Sequence, residues 1–165
     1  EIVAQNLSNT LIATIADAGA TTRLKAMGAK EGDSFDMEVG GLADESAGEP
    51  VRIQGTILKA VAGHGQFWVC IRFGQNNVLI LSTYLVQIME PFALKALVDI
   101  DSFDVMAIKS RVHFRRGFDD NGFAKTILLV EPEQPFLGTT RLDGLPYENV
   151  DLTKFYPYGS PAFSV

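Results

Sequence analysis

Lys109, Ser110 and His113 stand close together in the stretch FDVMAIKSRVHFRRGF, Phe103–Phe118. A cation, a hydroxyl and an imidazole at this spacing suit an anion or a carboxylate. The preceding run Phe103, Val105, Ala107 and Ile108 has the apolar, partly β-branched character of a buried strand and stops at Lys109-Ser110. Ser110 is placed to cap a helix carrying Val112, His113, Phe114 and Phe118, because its hydroxyl can accept from an orphan N–H of the first turn. Such a corner sets free N–H groups and the positive end of a helix dipole beside the three side chains.

The other chemistry-bearing residues are few. His64 and His113 are the two histidines, and no HExxH, CxxC or His-x-His spacing joins them to further ligands, whereas a catalytic zinc needs three. His64 falls in the turn Gly63-His64-Gly65, where a solvated side chain is expected. The single Cys70 lies in the apolar run Phe67–Phe73 and reads as a buried, inert thiol in a reducing compartment. Arg111, Arg115 and Arg116 form the basic cluster, read as a solvated face beside Asp119 and Asp120. Gly40-Gly41 lacks a phosphate-cradling pattern and reads as a backbone turn. Trp68, Phe67 and Phe73 read as core. A Ser–His–acid triad is disfavoured, since Ser110 and His113 on one helix rarely align as nucleophile and base.

The elements that must position these residues follow from the pattern. Glu1–Ile15 reads as a helix running into a short strand, Asp17 caps a helix over Ala18–Met27, and Gly28 stops it. Strands are expected at Phe35–Val39, Val51–Val61, Phe67–Phe73, Val78–Leu81 and Val86–Met89, with Leu42–Pro50 a loop and Asn76-Asn77 a tight turn. Pro91 starts a helix across Phe92–Leu97. Lys125–Val130 reads as a further buried, central strand, and from Pro132 the tail wraps over the surface on Phe136, Tyr147, Phe155 and Tyr156. The class is α+β: a mixed sheet with a hairpin-rich antiparallel middle flanked by strand–helix units. A small SH3-like barrel is an alternative description of Val51–Met89.

With 165 residues, 47% of them hydrophobic, the chain can bury roughly 70% of its unfolded surface, so one domain over residues 1–165 is expected. A formal charge of −6 argues against nucleic acid. No membrane span or signal peptide is visible, and a cytoplasmic protein is expected. The first residue is Glu rather than Met, which fits excision from something longer.

Lys109-Ser110-x-x-His113-Phe114 followed by Arg115-x-Gly117-Phe118 resembles the KSxxHF signature in the C-terminal domain of the microcystinase C (MlrC-like) metallopeptidase family. Asp17 opening a helix, Gly40-Gly41 after a strand, Glu49–Val51, Leu145-Pro146-Tyr147 and Tyr156-Pro157 fall in the family's order. Two departures stand out: Leu42 replaces a lysine common after the glycine pair, and a preceding glycine-rich segment is absent. The resemblance implies a parent enzyme that cleaves peptide or amide bonds with a metal-activated water. Its zinc is bound by an N-terminal domain, so that no metal ligand and no cofactor belong to this chain.

The resemblance further implies that Lys109, Ser110 and His113 line a cleft against that N-terminal catalytic domain. Lys109 would be a cationic anchor, Ser110 a cap and hydroxyl, and His113 a donor or a contact behind the metal ligands. The plainer alternative is a capped helix with a solvated Lys109 and with His113 bonded to a backbone carbonyl. The corresponding rivals in function are a free-standing binding or oligomerisation module and a small independent enzyme using His113 as general base.

Overall fold

The computed structural model describes residues 2–41, 48–110, 113–130 and 151. The chain divides into two compact units, Glu1–Ile127 and Leu128–Val165. In the first, the elements are β1 (Thr10–Ala16), α1 (Ala18–Ala26), β2 (Ser34–Val39), β3 (Val51–Gly63), β4 (Gln66–Phe73), β5 (Asn77–Ser82) and β6 (Val105–Ile108). They form one mixed sheet in the order β2-β3-β4-β5-β1-β6, α+β in class and not closed into a barrel. β2 to β5 are an antiparallel meander, while β1 pairs in parallel with both β5 and β6.

Alternation sorts the side chains onto two faces. On one, Leu79 and Leu81 of β5 with Val69, Ile71 and Phe73 of β4 pack under Ala20 and Leu24 of α1. On the other, Val78, Ile80 and Cys70 join Leu11 and Ala13 of β1 with Ile88, Leu94, Ile100, Phe114 and Phe118. β5 is therefore buried along its whole length, as a strand covered on both faces must be. A register shift between Ala13 and Ile15 leaves Thr14 as a bulge, so Ile12 and Ile15 both face the α1 side.

Two turns show why their residues are where they are. The β3–β4 hairpin places His64 at φ 51° and Gly65 at φ 73°, the left-handed pair that matches the twist of a two-residue hairpin. Gly40 and Gly41 take φ 76° and 71°, and a Cβ on Gly41 would come within 2.6 Å of Pro50 N, so the glycine pair is a backbone turn as expected. Between β3 and the outer strand β2, Arg52 Nε and the neighbouring guanidinium nitrogen donate to Asp36 at 2.7 and 2.9 Å, and Gln54 donates at 3.1 Å. The hydrogen bonds from Arg52 and then from Gln54 hold the Asp36 carboxyl down at about 2. Its stabilising contribution is thus complete above the ordinary carboxylate range and lost only as pH falls through about 2.

Several expectations are corrected. Residues 2–6 form turns rather than a helix, and Asn9 at φ 50° breaks the chain just before β1. Val86–Met89 is no strand: both edges of β5 are already taken by β4 and β1, and its apolar alternation reflects Ile88 packing onto a sheet face. Pro91 does start a helical turn, but Pro91–Leu94 is a 3-10 turn, continued by i→i+3 bonds such as Leu97 N to Leu94 O at 2.9 Å. The strand before Lys109 is short and half-buried, because β6 is an edge and not a central strand. Lys125–Val130 has no strand conformation, and Leu128, Leu129 and Val130 are exposed. The SH3-like alternative fails because the sheet stays open. Residues 42–47 of the expected loop and, apart from 151, the expected tail from 132, Leu145-Pro146-Tyr147 and Tyr156-Pro157 included, lie outside the described residues.

Cys70 is fully buried, and burial pushes its thiol up to about 12. A thiol reagent at pH 8 is therefore expected to leave the native protein unmodified for hours and to react within minutes in denaturant. Rapid native-state labelling would show that the second core opens readily.

Candidate functional site

β5, β1 and β6 are parallel, so their carboxyl ends lie along one edge of the sheet, the edge at which open sheets of parallel strands present ligand-binding groups. β6 reaches only as far as Ile108, opposite Ala13, and Lys109 and Ser110 follow it at once. β1 runs on through the Thr14 bulge to Ala16 and ends at Asp17. β5 ends at Ser82, opposite Ala16.

Each of these ends is pinned. The Thr14 hydroxyl donates to Val86 O at 3.2 Å, tying the strand bulge to the segment that leaves β5. Asp17 is buried, and its carboxylate accepts from two backbone groups: Ala20 N at 2.8 Å, which caps α1, and Gly40 N at 3.1 Å at the end of β2. Asp17 is the expected cap, and Gly28 at φ 67° is the expected stop. The second bond was not foreseeable from spacing. It joins the outermost strand to one that is four places away in the sheet order, which requires the sheet to curl around α1.

Lys109 is exposed, and among the described residues its side chain has no ion-pair partner. Ser110 is half-buried, and its Oγ is sealed from solvent without a hydrogen-bond partner. It caps no helix. The expected helix is instead one π-type turn, Arg115–Asp119, entered at Phe114 with no side-chain cap, so a helix dipole beside the three residues is not available. Arg111 and Val112 lie outside the described residues. His113 is exposed at the start of the turn, whose apolar side chains Phe114 and Phe118 are buried. Phe118 meets Phe123 edge to face at 5.7 Å between centroids. Arg115 lies 3.5 Å from Asp119 and over the Phe114 ring, as a solvated face beside acidic neighbours predicts.

The turn is held against the rest of the domain by Gly117. A Cβ there would collide with Met89 O and lie 2.6 Å from Glu90 Cα. The sequence signal was a glycine between Phe114 and Phe118, where any other residue would favour helix, but only the packing shows what it admits.

His64 is not brought to this site. It sits at the β3–β4 turn, and β4 lies three strand spacings from β6, about 14 Å across the sheet. Among the described residues no group of three or more His, Cys, Asp or Glu is placed to hold a metal ion, so these residues do not fit a zinc centre of their own. Among them, too, no helix is long and apolar enough to cross a membrane.

The arrangement thus offers an exposed ammonium, an exposed imidazole and a buried hydroxyl with free hydrogen-bonding capacity, all on the carboxyl side of β6. These are groups that can hydrogen-bond or pair with an anionic or carbonyl group. No curated protein matches the chain. The family model described as MlrC C-terminus matches residues 1–136. That match spans the whole run from Asp17 through the Lys109–Phe118 motif, and the chain belongs to this family of C-terminal domains, which implies an N-terminal partner domain in the same protein.

Proposed function

We propose that this domain forms one wall of the active-site cleft of an MlrC-like metallohydrolase that cleaves peptide or amide bonds. In this reading the zinc is held by the N-terminal domain, the substrate is a peptide-like or amide small molecule, and the protein is cytoplasmic. Lys109 anchors a substrate carboxylate, His113 donates to the group that gains charge as the bond breaks, and Ser110 offers its hydroxyl between them. The domain by itself is catalytically silent.

The observation that carries the reading is the state of the three side chains. Lys109 and His113 are exposed and the Ser110 Oγ is dry and unpartnered, although buried hydroxyls normally find a partner. Such a group is poised for a ligand or a neighbouring domain. A free-standing module would instead have been favoured by Lys109 and His113 sealed in the interior.

The test uses the full-length, zinc-loaded protein. Lys109→Ala and His113→Ala are each expected to lower turnover about 100-fold at unchanged zinc content. Ser110→Ala breaks no hydrogen bond within the domain, so its stability should stay within about 0.5 kcal/mol of wild type while turnover falls about tenfold. Wild-type turnover in both the Lys109 and the His113 variants would remove the catalytic role. Stoichiometric zinc with robust peptidase activity in the 165-residue chain alone would overturn the whole assignment.

A further inference from the structure

The segment leaving β5 combines exposed apolar side chains with a backbone pinned to the sheet. Tyr84, Leu85, Met89 and Phe92 are 63, 61, 54 and 66% exposed, four large apolar side chains within one short stretch. The same stretch is anchored from below, since Ile88, Pro91 and Leu94 are buried. Its backbone is held by Gln66 Oε1 accepting from Tyr84 N at 3.0 Å, by Ser82 Oγ donating to Tyr84 O at 2.8 Å and by Thr14 bonding Val86 O. A fixed backbone that points apolar side chains outward is costly in water, and such patches mark contact surfaces.

The place of the patch says what covers it. It starts at the carboxyl end of β5, crosses the Thr14 bulge of β1 and ends where Met89 and Glu90 meet Gly117 of the turn that carries His113. It therefore abuts the turn that His113 immediately precedes. The family matched is one of C-terminal domains, which points to a partner domain ahead of this one in the same polypeptide.

We infer that Tyr84, Leu85, Met89 and Phe92 are the seat of that N-terminal domain, the apolar contact that positions it over Lys109, Ser110 and His113. The inference rests on the proposed function and adds the surface through which the two domains meet. The aromatic and methionine side chains supply large apolar contact, and Lys95, 4.6 Å from the Phe92 ring centroid, marks the polar rim of the patch.

Methionine oxidation in the full-length protein gives a readout independent of activity. Met27, 77% exposed just past α1, is the internal reference. With dilute hydrogen peroxide and peptide mass spectrometry, Met89 is expected to oxidise about tenfold more slowly than Met27. The double variant Leu85→Asp/Phe92→Asp is expected to bring the two rates together. Equal rates in the wild-type protein would overturn the inference. Protection of Met89 that vanishes on dilution would also overturn it, by making a second copy of the protein the occupant. Protection of Met89 alongside full turnover in the Lys109 and His113 variants would keep the contact and remove only the catalytic reading.

Discussion

Gly117→Val is expected to destabilise the domain by about 3 kcal/mol or more and to depress turnover of the full-length protein with it. Gly117 lies in the middle of the single turn that carries His113 at its start, and the atoms a new side chain would meet are backbone: Met89 O, and Glu90 Cα at 2.6 Å. Backbone cannot rotate away as a flexible side-chain end can. Either the turn lifts from the Met89–Glu90 segment, withdrawing Phe114 and Phe118 from the second core, or that segment moves and drags Ile88. Both routes lose buried apolar contact and shift His113. Urea denaturation checks the first effect, and Gly63→Ala, where a Cβ meets nothing within 4 Å, is the neutral control. A Gly117→Val midpoint equal to wild type would show that the close approach is relaxed in solution.

Asp17→Ala should cost a similar amount, about 3 kcal/mol, for a different reason. The carboxylate serves two backbone donors at once, so its removal takes away the α1 cap, worth about 0.5–2 kcal/mol. It also strands the Gly40 N–H in a partly buried place, at about 1–3 kcal/mol. Asp17→Asn retains one acceptor oxygen and is expected to recover about half of the loss. Amide exchange distinguishes the two contributions: Ala20 should exchange faster if the cap fails, and Gly40 faster if the link to β2 fails. Unchanged exchange at Gly40 would mean that the bond across the open side of the sheet contributes nothing.

Local chemistry was legible wherever one residue type has one use. Asp17 before a helix, Gly28 after it, Gly63-His64-Gly65 at a turn, and the alternation of β2 all read correctly, because caps, left-handed turns and period-two burial are decided within a few residues; of the pair Asn76-Asn77, Asn76 lies in the turn and Asn77 already opens β5. The misreadings share one cause, an apolar pattern whose partner lies far along the chain. Val86–Met89 alternates like a strand, yet β1 had already occupied the edge of β5 that it would need. The run after Phe103 reads as a buried strand and is a half-buried edge, since nothing in its composition says how many strands lie beyond it.

At the site, the structure that supports Lys109, Ser110 and His113 differs from what the spacing suggests. Ser110 precedes an apolar helical spacing and so reads as a cap, whereas a five-residue π turn leaves its hydroxyl without a donor to serve. The bond from Gly40 to Asp17 and the approach of Gly117 to Met89 depend on curl and close packing, which spacing does not encode.

The position of β1 has a consequence for how this protein is made. Within this domain it precedes the other strands in sequence and is among the last to find its neighbours, since Leu11 pairs with Val78 on one side and Met106 on the other. A nascent chain emerging from the ribosome must carry the apolar segment TLIATIA unpaired while the β2–β5 meander assembles without it. Sheet completion waits on strand insertion between two later elements, which makes folding slow and leaves a sticky edge open in the meantime.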